Sequence, residues 1–165
     1  ILKLPLSMAV KGTLLFELQK ETYAIPLAYT EAVVSLYKKD LYKVGTSLVA
    51  SHLGKTISIL FLKDFFNNQS IDESIDDKEL HHSYKQLEEN QKIELVIVSY
   101  HKRQIGIVVD KLLQQKEIVE KPLEKPLDYV KVISGVTILG NGNVCLVLHI
   151  PMIINTLFQL NTTIH

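Results

Sequence analysis

The stretch at residues 14–27, LLFELQKETYAIPL, aligns without a gap with residues 96–109, VIVSYHKRQIGIVV. In each stretch an apolar run is followed by a short polar break and then by a second apolar run. Apolar segments rich in β-branched and aromatic residues around such a break are typical of a β-hairpin. The alignment therefore predicts two equivalent hairpins, one in each half of the chain.

A second alignment occurs later in each half and in the same order. Residues 52–62, HLGKTISILFL, match residues 140–150, GNGNVCLVLHI, and the match places Gly54 on Gly142. Each half thus contains a hairpin, a third strand and a glycine-led strand that runs into a helix, which is enough for a barrel of about five strands. We predict an all-β fold of two similar barrels; the alternative is that alternating β sequences resemble one another by chance.

Short segments rich in Val, Ile, Leu and Tyr recur along the chain, and few are long enough for a globular helix. Two helical pieces are predicted, at residues 63–67 and 151–159, and proline suits the first turn of the second. The predicted strands are 13–18, 22–27, 32–36, 48–53, 56–62, 93–99, 104–109, 117–120, 130–139 and 144–150.

The two barrels are predicted to lie mainly at residues 11–66 and 92–150, with residues 67–91 as a connector. The connector contains seven acidic side chains among few apolar ones, which is typical of a solvated segment. A thin apolar helical stripe is the alternative, although a surface loop with a frayed helix is favoured. The stripe would consist of Ile75, Leu80, Tyr84 and Leu87.

Composition excludes several classes of protein. The 165 residues include 18 basic and 18 acidic side chains, and Arg103 is the only arginine, so the basic footprint of a nucleic-acid-binding protein is missing. Cys145 is the only cysteine, which rules out an internal disulfide and fits a reducing cytoplasm. The longest apolar run, residues 144–154, is shorter than the ~20 residues that span a bilayer, so no membrane insertion is predicted.

No catalytic, metal-binding or cofactor-binding motif is found. His81 and His82 adjoin one another, but neighbouring helical residues point about 100° apart, so a shared metal is geometrically poor. Ser134 does not lie on a nucleophile elbow. The glycines at residues 140–142 lack phosphate-loop spacing and are typical of a hairpin turn.

Two runs resemble the CheW-like regulatory domain at the C-terminus of the chemotaxis histidine kinase CheA: residues 105–123, IGIVVDKLLQQKEIVEKPL, and residues 133–148, ISGVTILGNGNVCLVL. The resemblance extends to residues 23–27, YAIPL, and to residues 4–10, LPLSMAV, which are similar to the junction that leaves the kinase catalytic domain. It covers residues 4–158. The free adaptor CheW shares the fold, but the junction and the run VVDKLLQQKEIVEKPL are more similar to the kinase-borne copy.

The resemblance implies two intertwined, five-stranded SH3-like β-barrels with short helices and a C-terminal helix. It also implies that residues 1–10 belong to the junction with a preceding kinase domain and that residues 11–160 form a CheW-like domain. Such a domain is non-catalytic: it binds the adaptor CheW, the cytoplasmic tips of chemoreceptors and other domains of its kinase. We therefore expect a cytoplasmic scaffold at receptor arrays that couples receptor state to kinase activity, with the kinase's catalytic residues outside this segment.

The hairpin tips are the expected partner-binding sites, because barrels expose hairpin tips and edge strands to neighbours. The proposed docking is end to end and would bury about 800 Å² per partner. Phe61 and His149 stand where the family frequently has a basic residue and an aspartate, and both could alter a contact surface. The candidate partner-binding residues are Leu14, Gln19 and Lys20 on the first barrel and His101 and Lys102 on the second.

Two alternative functions remain open at this point. The first is a free-standing CheW-type adaptor, which differs from the kinase domain by having a start codon just upstream. The second is a small β-barrel ligand-binding protein or hydrolase, whose distinguishing feature would be clustered acid, base or metal-binding groups in a closed pocket.

Overall fold

The computed structural model describes residues 10–44, 47–64, 86–122 and 132–163, with side chains described except at Ser47 and beyond residue 158. Within these residues, strands form two six-stranded sheets and a helix, α1, spans Ile150–Thr163. The strands are β1 Val10–Leu18, β2 Glu21–Pro26, β3 Thr30–Tyr37, β4 Leu41–Val44, β5 Ser47–His52, β6 Lys55–Phe61, β7 Lys92–Tyr100, β8 Arg103–Val109, β9 Lys111–Val119, β10 Lys121–Pro122, β11 Ile133–Ile138 and β12 Val144–Leu148.

Each sheet contains a hairpin from the other half of the chain, which we call its borrowed hairpin. The first sheet has the order β10-β11-β12-β2-β1-β9, and the second has the order β4-β5-β6-β8-β7-β3. The contacts that join the borrowed hairpins to their hosts include two parallel pairs, β12 with β2 and β6 with β8. The predicted intertwined all-β fold is therefore confirmed, and both sheets cross the boundary between residues 11–66 and 92–150.

The registers of the two sheets reproduce the internal alignment residue by residue. Leu14 pairs with Ile25 in the first hairpin, and the equivalent Val96 pairs with Ile107 in the second. In the parallel pairs, Leu146 lies opposite Tyr23 and the equivalent Ser58 lies opposite Ile105. The predicted duplication is thus confirmed, and each residue of one hairpin has a structural counterpart in the other.

The largest hydrophobic cluster is shared by the two halves. Its members come from both hairpins, from the ends of β6 and β12 and from α1, so equivalent positions of the duplication meet in one core. Fully burying a side chain of this size contributes about 1.5–3 kcal/mol relative to exposing it. The buried members include Leu14, Phe16, Ile25, Leu60, Val96, Val98, Ile107, Leu148, Ile150, Ile153 and Ile154. Two smaller clusters, around Leu95 and around Val147, complete the core.

Several element boundaries differ from the prediction. The strand predicted at 117–120 is too short, because β9 spans Lys111–Val119 and most of its side chains are exposed, which removes the alternation that reveals a strand. Strands β4 and β10 were not predicted, and they add a sixth strand to each five-stranded barrel. The C-terminal helix, predicted at 151–159, spans Ile150–Thr163.

Some predictions fall partly or wholly on residues outside the described ranges. A helical turn occupies residues 62–64, whereas the rest of the helix predicted at 63–67 lies outside them. Most of the connector predicted at 67–91 and nearly all of the junction predicted at 1–10 also lie outside the described residues. Leu87, a member of the predicted apolar stripe, packs against the cluster around Leu95.

Candidate partner-binding surface

The turn of the first hairpin consists of Gln19 and Lys20, which are both exposed. Their φ angles are 51° and 69°, so both residues adopt the left-handed conformation. A two-residue loop with positive φ at both positions is a type I′ turn, whose twist matches the twist of the strands it connects. The turn therefore projects both side chains beyond the end of the first sheet.

The turn of the second hairpin has the same backbone conformation. His101 and Lys102 occupy the equivalent positions, with φ angles of 50° and 64°, and both are exposed. A residue other than glycine in this conformation costs about 1 kcal/mol or more. Both turns bear this cost at two positions, whereas the turn between β5 and β6 places Gly54 at its second position.

A carboxylate supports the first tip. The Gln19 backbone N–H donates a hydrogen bond of 2.9 Å to Oδ2 of Asp110, and the Asp110 N–H donates one of 3.2 Å to the carbonyl of Glu17. Asp110 is the single residue between β8 and β9. The first tip is thus tied to the linker that follows the second hairpin.

Aromatic contacts support the second tip. The Tyr100 ring lies edge-on to the His101 ring, with centroids 4.0 Å apart, and edge-on to the Tyr29 ring, with centroids 6.1 Å apart. Tyr29 belongs to the short 3-10 turn that follows the first hairpin. The Arg103 guanidinium lies 4.9 Å from the centre of the Phe158 ring, a cation–π contact with α1. The first tip therefore contacts the linker after the second hairpin directly, and the second tip is connected to the linker after the first hairpin through Tyr100.

Exposed apolar side chains lie beside both tips, and sequence reasoning missed them. Because β12 runs parallel to β2 with Cys145 opposite Thr22, the turn between β11 and β12 lies at the same end of the sheet as the first tip. Ile138 and Val144, 62% and 55% exposed, pair with each other across that turn. We call Gln19, Lys20, Ile138 and Val144 the first rim.

The second sheet repeats this arrangement. Because β6 runs parallel to β8 with Ser58 opposite Ile105, the turn between β5 and β6 lies at the same end as the second tip. Leu53 in that turn is 88% exposed. We call Leu53, His101 and Lys102 the second rim. The available signal was Leu53 itself, an apolar residue next to Gly54 at the predicted break between two strands, because residues at turns rarely have buried side chains.

Leu14 lies apart from the other four candidate residues. Its side chain is 7% exposed and belongs to the shared core, so its inclusion in an exposed docking surface has to be corrected. The reason is that four consecutive residues of β1, Thr13 to Phe16, are all buried. Leu15 faces the core of the first sheet while Leu14 and Phe16 face the shared core.

The ionisable groups of the described residues provide no reactive centre. Burial raises the pKa of the Cys145 thiol to about 11, so the thiol stays protonated and is a poor nucleophile at neutral pH. Burial, and secondarily the charge of Glu21, raises the pKa of the Tyr23 hydroxyl. Among the described residues, no three His, Cys, Asp or Glu side chains are grouped as metal ligands.

A cavity of about 420 Å³ lies next to the first tip, between Leu18, Lys92 and Val109. Its carboxylates, Glu94 and Asp110, already accept hydrogen bonds from the Ser35 hydroxyl and the Gln19 N–H. This is not the clustered acid–base pair expected of a hydrolase. Within the described part of the chain, no helix has the length and apolar character needed to cross a bilayer.

Comparison with known families identifies the class of this intertwined fold. Residues 12–158 match the family model described as CheW-like domain, and the chain belongs to this family. CheW-like domains are non-catalytic scaffolding and coupling domains of chemotaxis signalling.

Particular relatives refine this assignment. The chain is 30% identical over 149 residues to the sensor histidine kinase CheAY of Helicobacter pylori, covering 90% of this chain and 17% of that protein. It is 29% identical over 147 residues to the chemotaxis protein CheA of Bacillus subtilis, covering 89% of this chain and 20% of that protein. The chain thus spans at most a fifth of the length of these relatives.

A solved structure of the family has the same fold. The scaffolding protein TtCheW from Thermoanaerobacter tengcongensis superposes with a TM-score of 0.58 at 17% identity, covering 85% of this chain and 89% of that one. This likeness supports the two six-stranded sheets described above.

Proposed function

We propose that this chain is the regulatory CheW-like domain of a CheA-type histidine kinase. In this proposal it binds the adaptor CheW and the cytoplasmic tips of chemoreceptors, and it couples receptor state to the activity of a kinase domain elsewhere in the parent protein. The similarity to two chemotaxis kinases over about nine-tenths of the chain supports it. A place in the cytoplasm, at receptor arrays, is part of the same proposal.

The observation that carries the proposal is the presence of a rim at each of the two equivalent hairpin tips of one fold. Each rim combines a polar turn held in a strained conformation with an exposed apolar neighbour. Strained backbone and exposed apolar groups both cost stability or solubility, and such costs are concentrated at functional surfaces. Two such rims allow one domain to contact two partners simultaneously.

The composition of the rims suits end-to-end docking. Apolar residues at the centre of an interface contribute affinity because binding removes them from water, and the surrounding charges determine the orientation of the partner and the rate of association. In the first rim Ile138 and Val144 would form the centre, and in the second rim Leu53 would do so. Lys20 and Lys102 would lie at the periphery, where charge reversal repels a partner without disturbing the fold of this domain.

The test is the double charge reversal Lys20→Glu with Lys102→Glu, measured as affinity for purified CheW by calorimetry. We expect a loss of about tenfold or more, because like charges facing each other across an interface cost several kcal/mol. Lys116→Glu, on the exposed face of β9, is the matched control and should leave the affinity unchanged. Unchanged affinity in the double variant would contradict docking through the tips.

The apolar neighbours allow the two rims to be separated. Leu53→Asp should weaken only the contact made by the second rim, and Ile138→Asp only the contact made by the first. Both side chains are mainly exposed, so neither change should alter the free energy of unfolding by more than about 0.5 kcal/mol. If one variant abolishes CheW binding and the other abolishes receptor binding, each rim has its own partner.

A free-standing adaptor is the second candidate, because a solved relative of the same fold is a CheW scaffolding protein. The two candidates differ in what precedes residue 1 in the native gene, which sequencing the complete locus decides. A kinase domain in that position supports the first candidate. In that case, replacing residues 1–9 with a long Gly/Ser linker should abolish receptor control of the kinase and preserve CheW binding.

A further inference from the structure

Among the strands that the structure describes, the start of β1 has a neighbour on one side only. Val10, Lys11 and Gly12 pair with Val119, Ile118 and Glu117 of β9, whereas pairing with β2 begins at Thr13, opposite Pro26. Val10 and Lys11 are exposed. Local opening requires the least free energy where few contacts hold the backbone. These three residues, which we call the entry segment, therefore depend on β9, on the Leu27 side chain that packs over Gly12 and on whatever fixes their own side chains.

The side chain that fixes the entry segment is Glu120, directly after β9. Its carboxylate forms an ion pair with the Lys11 ammonium group through Oε2 and accepts a hydrogen bond from the Ser134 hydroxyl through Oε1. The Glu120 side chain is 12% exposed, so solvent screens this pair less than a fully exposed one. Glu120, which lies between β9 and β10, thus links β1 to β11.

Gly135 confirms how closely the chain is packed around Glu120. A Cβ at this position would lie 2.5 Å from the Lys121 carbonyl oxygen and 2.7 Å from Cγ of Glu120. No real Cβ approaches a backbone atom so closely. The absence of a side chain at residue 135 is therefore required for Glu120 to reach Ser134 and Lys11 together.

The other half of the chain contains an equivalent arrangement. Lys38 directly follows edge strand β3, as Glu120 directly follows edge strand β9. The Lys38 ammonium group donates a hydrogen bond of 2.9 Å to the carbonyl of Leu87, in the segment that enters β7. In both halves, the first residue after the edge strand holds the chain that enters the borrowed hairpin. The two arrangements differ in the charge of the side chain and in the group that it binds, but in both the side chain directly follows the edge strand. This recurrence indicates that the position has the same role in the two halves.

Thr13 limits how far the entry segment could open. It is fully buried, and its hydroxyl donates a hydrogen bond of 2.8 Å to the carbonyl of Lys116 on β9. From Thr13 onwards β1 has strands on both sides. Opening therefore stops at this residue and leaves the shared core intact.

We propose that the Lys11–Glu120 pair is a latch that controls release of the entry segment from β9. Release of residues 10–12 would free about 10 Å of extended chain at the point where the polypeptide enters the domain. The released residues would make the connection between the domain and the segment that precedes it longer and more flexible. The regulatory use of the latch rests on the function proposed above, whereas the latch itself is a property of this fold.

Hydrogen exchange of the intact chain tests the latch directly. In Glu120→Gln we expect the backbone amides of residues 10–12 to exchange about two- to fivefold faster, the range that a partly exposed ion pair accounts for, while those of residues 15–18 stay unchanged. Glu117→Gln, at an exposed glutamate on β9 opposite Gly12, is the control and should have no effect. Equal exchange in the two variants would overturn the proposal, as would uniformly faster exchange along β1.

A second measurement separates the latch from the proposed function. In the parent kinase, Glu120→Gln should alter receptor control of phosphorylation while CheW affinity, measured on the same protein, stays unchanged. Faster exchange at residues 10–12 with no change in kinase control would leave the latch in place and overturn its regulatory use. Absence of CheW binding in the unmodified protein would contradict the proposed function and leave the exchange result unaffected.

Discussion

The two hairpin tips have the same backbone and different supports. Gln19–Lys20 and His101–Lys102 form turns whose φ angles differ by at most a few degrees, and each turn is supported from the linker after the other hairpin, the second one through Tyr100. At the first tip the support is a hydrogen bond to the Asp110 carboxylate, while at the second it is a series of edge-on aromatic contacts from His101 through Tyr100 to Tyr29. The duplicated fold therefore determines the shape of the turn, and local side chains determine its surroundings.

This difference indicates which properties the two rims share and which are specific to each. Shape and projection are shared, because they follow from strand register and turn type. Charge and side-chain contacts are specific: the first tip has acidic neighbours, Glu17, Glu21 and Asp110, whereas the second adjoins Arg103 and an aromatic cluster. Substitutions at equivalent positions should therefore change the stability equally where the effect depends on backbone geometry. They should change it unequally where the effect depends on neighbouring side chains.

The largest expected effect concerns the shared core. Ile25 and Ile107 are equivalent and both fully buried, so Ile25→Ala and Ile107→Ala should each lower the free energy of unfolding by about 3 kcal/mol. Because both side chains belong to one cluster, each variant should still unfold in a single transition, measured by urea titration with two probes. Ile138→Ala, at an exposed position, is the control.

The opposite outcome is equally informative. If Ile25→Ala produced two transitions, the sheets would unfold as separate units in spite of the shared cluster. The two halves would then be compared as two independent barrels. Variants at equivalent positions would not need to lower the free energy of unfolding by the same amount.

Much of this fold could be predicted from the sequence because duplication supplies an internal reference. The gapless match of residues 14–27 with 96–109 gives the register of both hairpins, since register follows the apolar pattern and the turn length. The exchange of hairpins between the sheets came from the family resemblance, because strand alternation shows which face is buried but not which neighbour a strand has. Strand β9 was underestimated because its exposed side chains do not alternate.

The candidate site was predicted in part. The four tip residues are exposed, because polar residues between two apolar runs mark a turn. Leu14 is buried, because a strand between two cores is apolar on both faces and leaves no signal of orientation. The apolar neighbours Leu53, Ile138 and Val144 were missed, because the parallel pairs that bring them beside the tips join segments distant in sequence.

Gly106 and Ala24 are equivalent positions at which the two halves differ by one methyl group. A Cβ on Gly106 would lie 2.9 Å from side-chain atoms of Ile59 and Leu95, whereas the other half already accommodates Ala24 in a fully buried position. Gly106→Ala should therefore destabilise the protein by about 1–2 kcal/mol through overpacking, measured by urea titration. Ala24→Gly should also destabilise it, through the lost methyl group and the more flexible unfolded chain. A stabilised Gly106→Ala variant would show that Ile59 and Leu95 move aside at little cost.

His149 and Phe61 are equivalent residues that precede helical turns, and only His149 can act as a cap. Its Nδ1 accepts a hydrogen bond of 3.1 Å from the Met152 N–H at the start of α1, and its carbonyl accepts one of 3.1 Å from the Ile153 N–H. His149→Ala should cost about 1 kcal/mol of stability by loss of the side-chain cap, measured by thermal or urea unfolding. His149→Asp should retain or increase stability, since a carboxylate caps well and favours the positive end of the helix dipole. Equal losses in both variants would assign the role of His149 to packing.

The smallest expected effect tests the shared backbone of the tips. Lys20 and Lys102 have φ angles of 69° and 64°, a conformation that glycine adopts without strain. Relief of strain should outweigh the greater flexibility of glycine in the unfolded chain, so Lys20→Gly and Lys102→Gly should each stabilise the protein by about 0.5 kcal/mol. The gains should be equal and additive if backbone geometry alone decides, and urea titration of the single and double variants measures both. A gain at one tip only would mean that the support of the other tip, Asp110 or the edge-on aromatic contacts, loosens when the lysine is removed, and that the two turns share a shape without sharing its energetics.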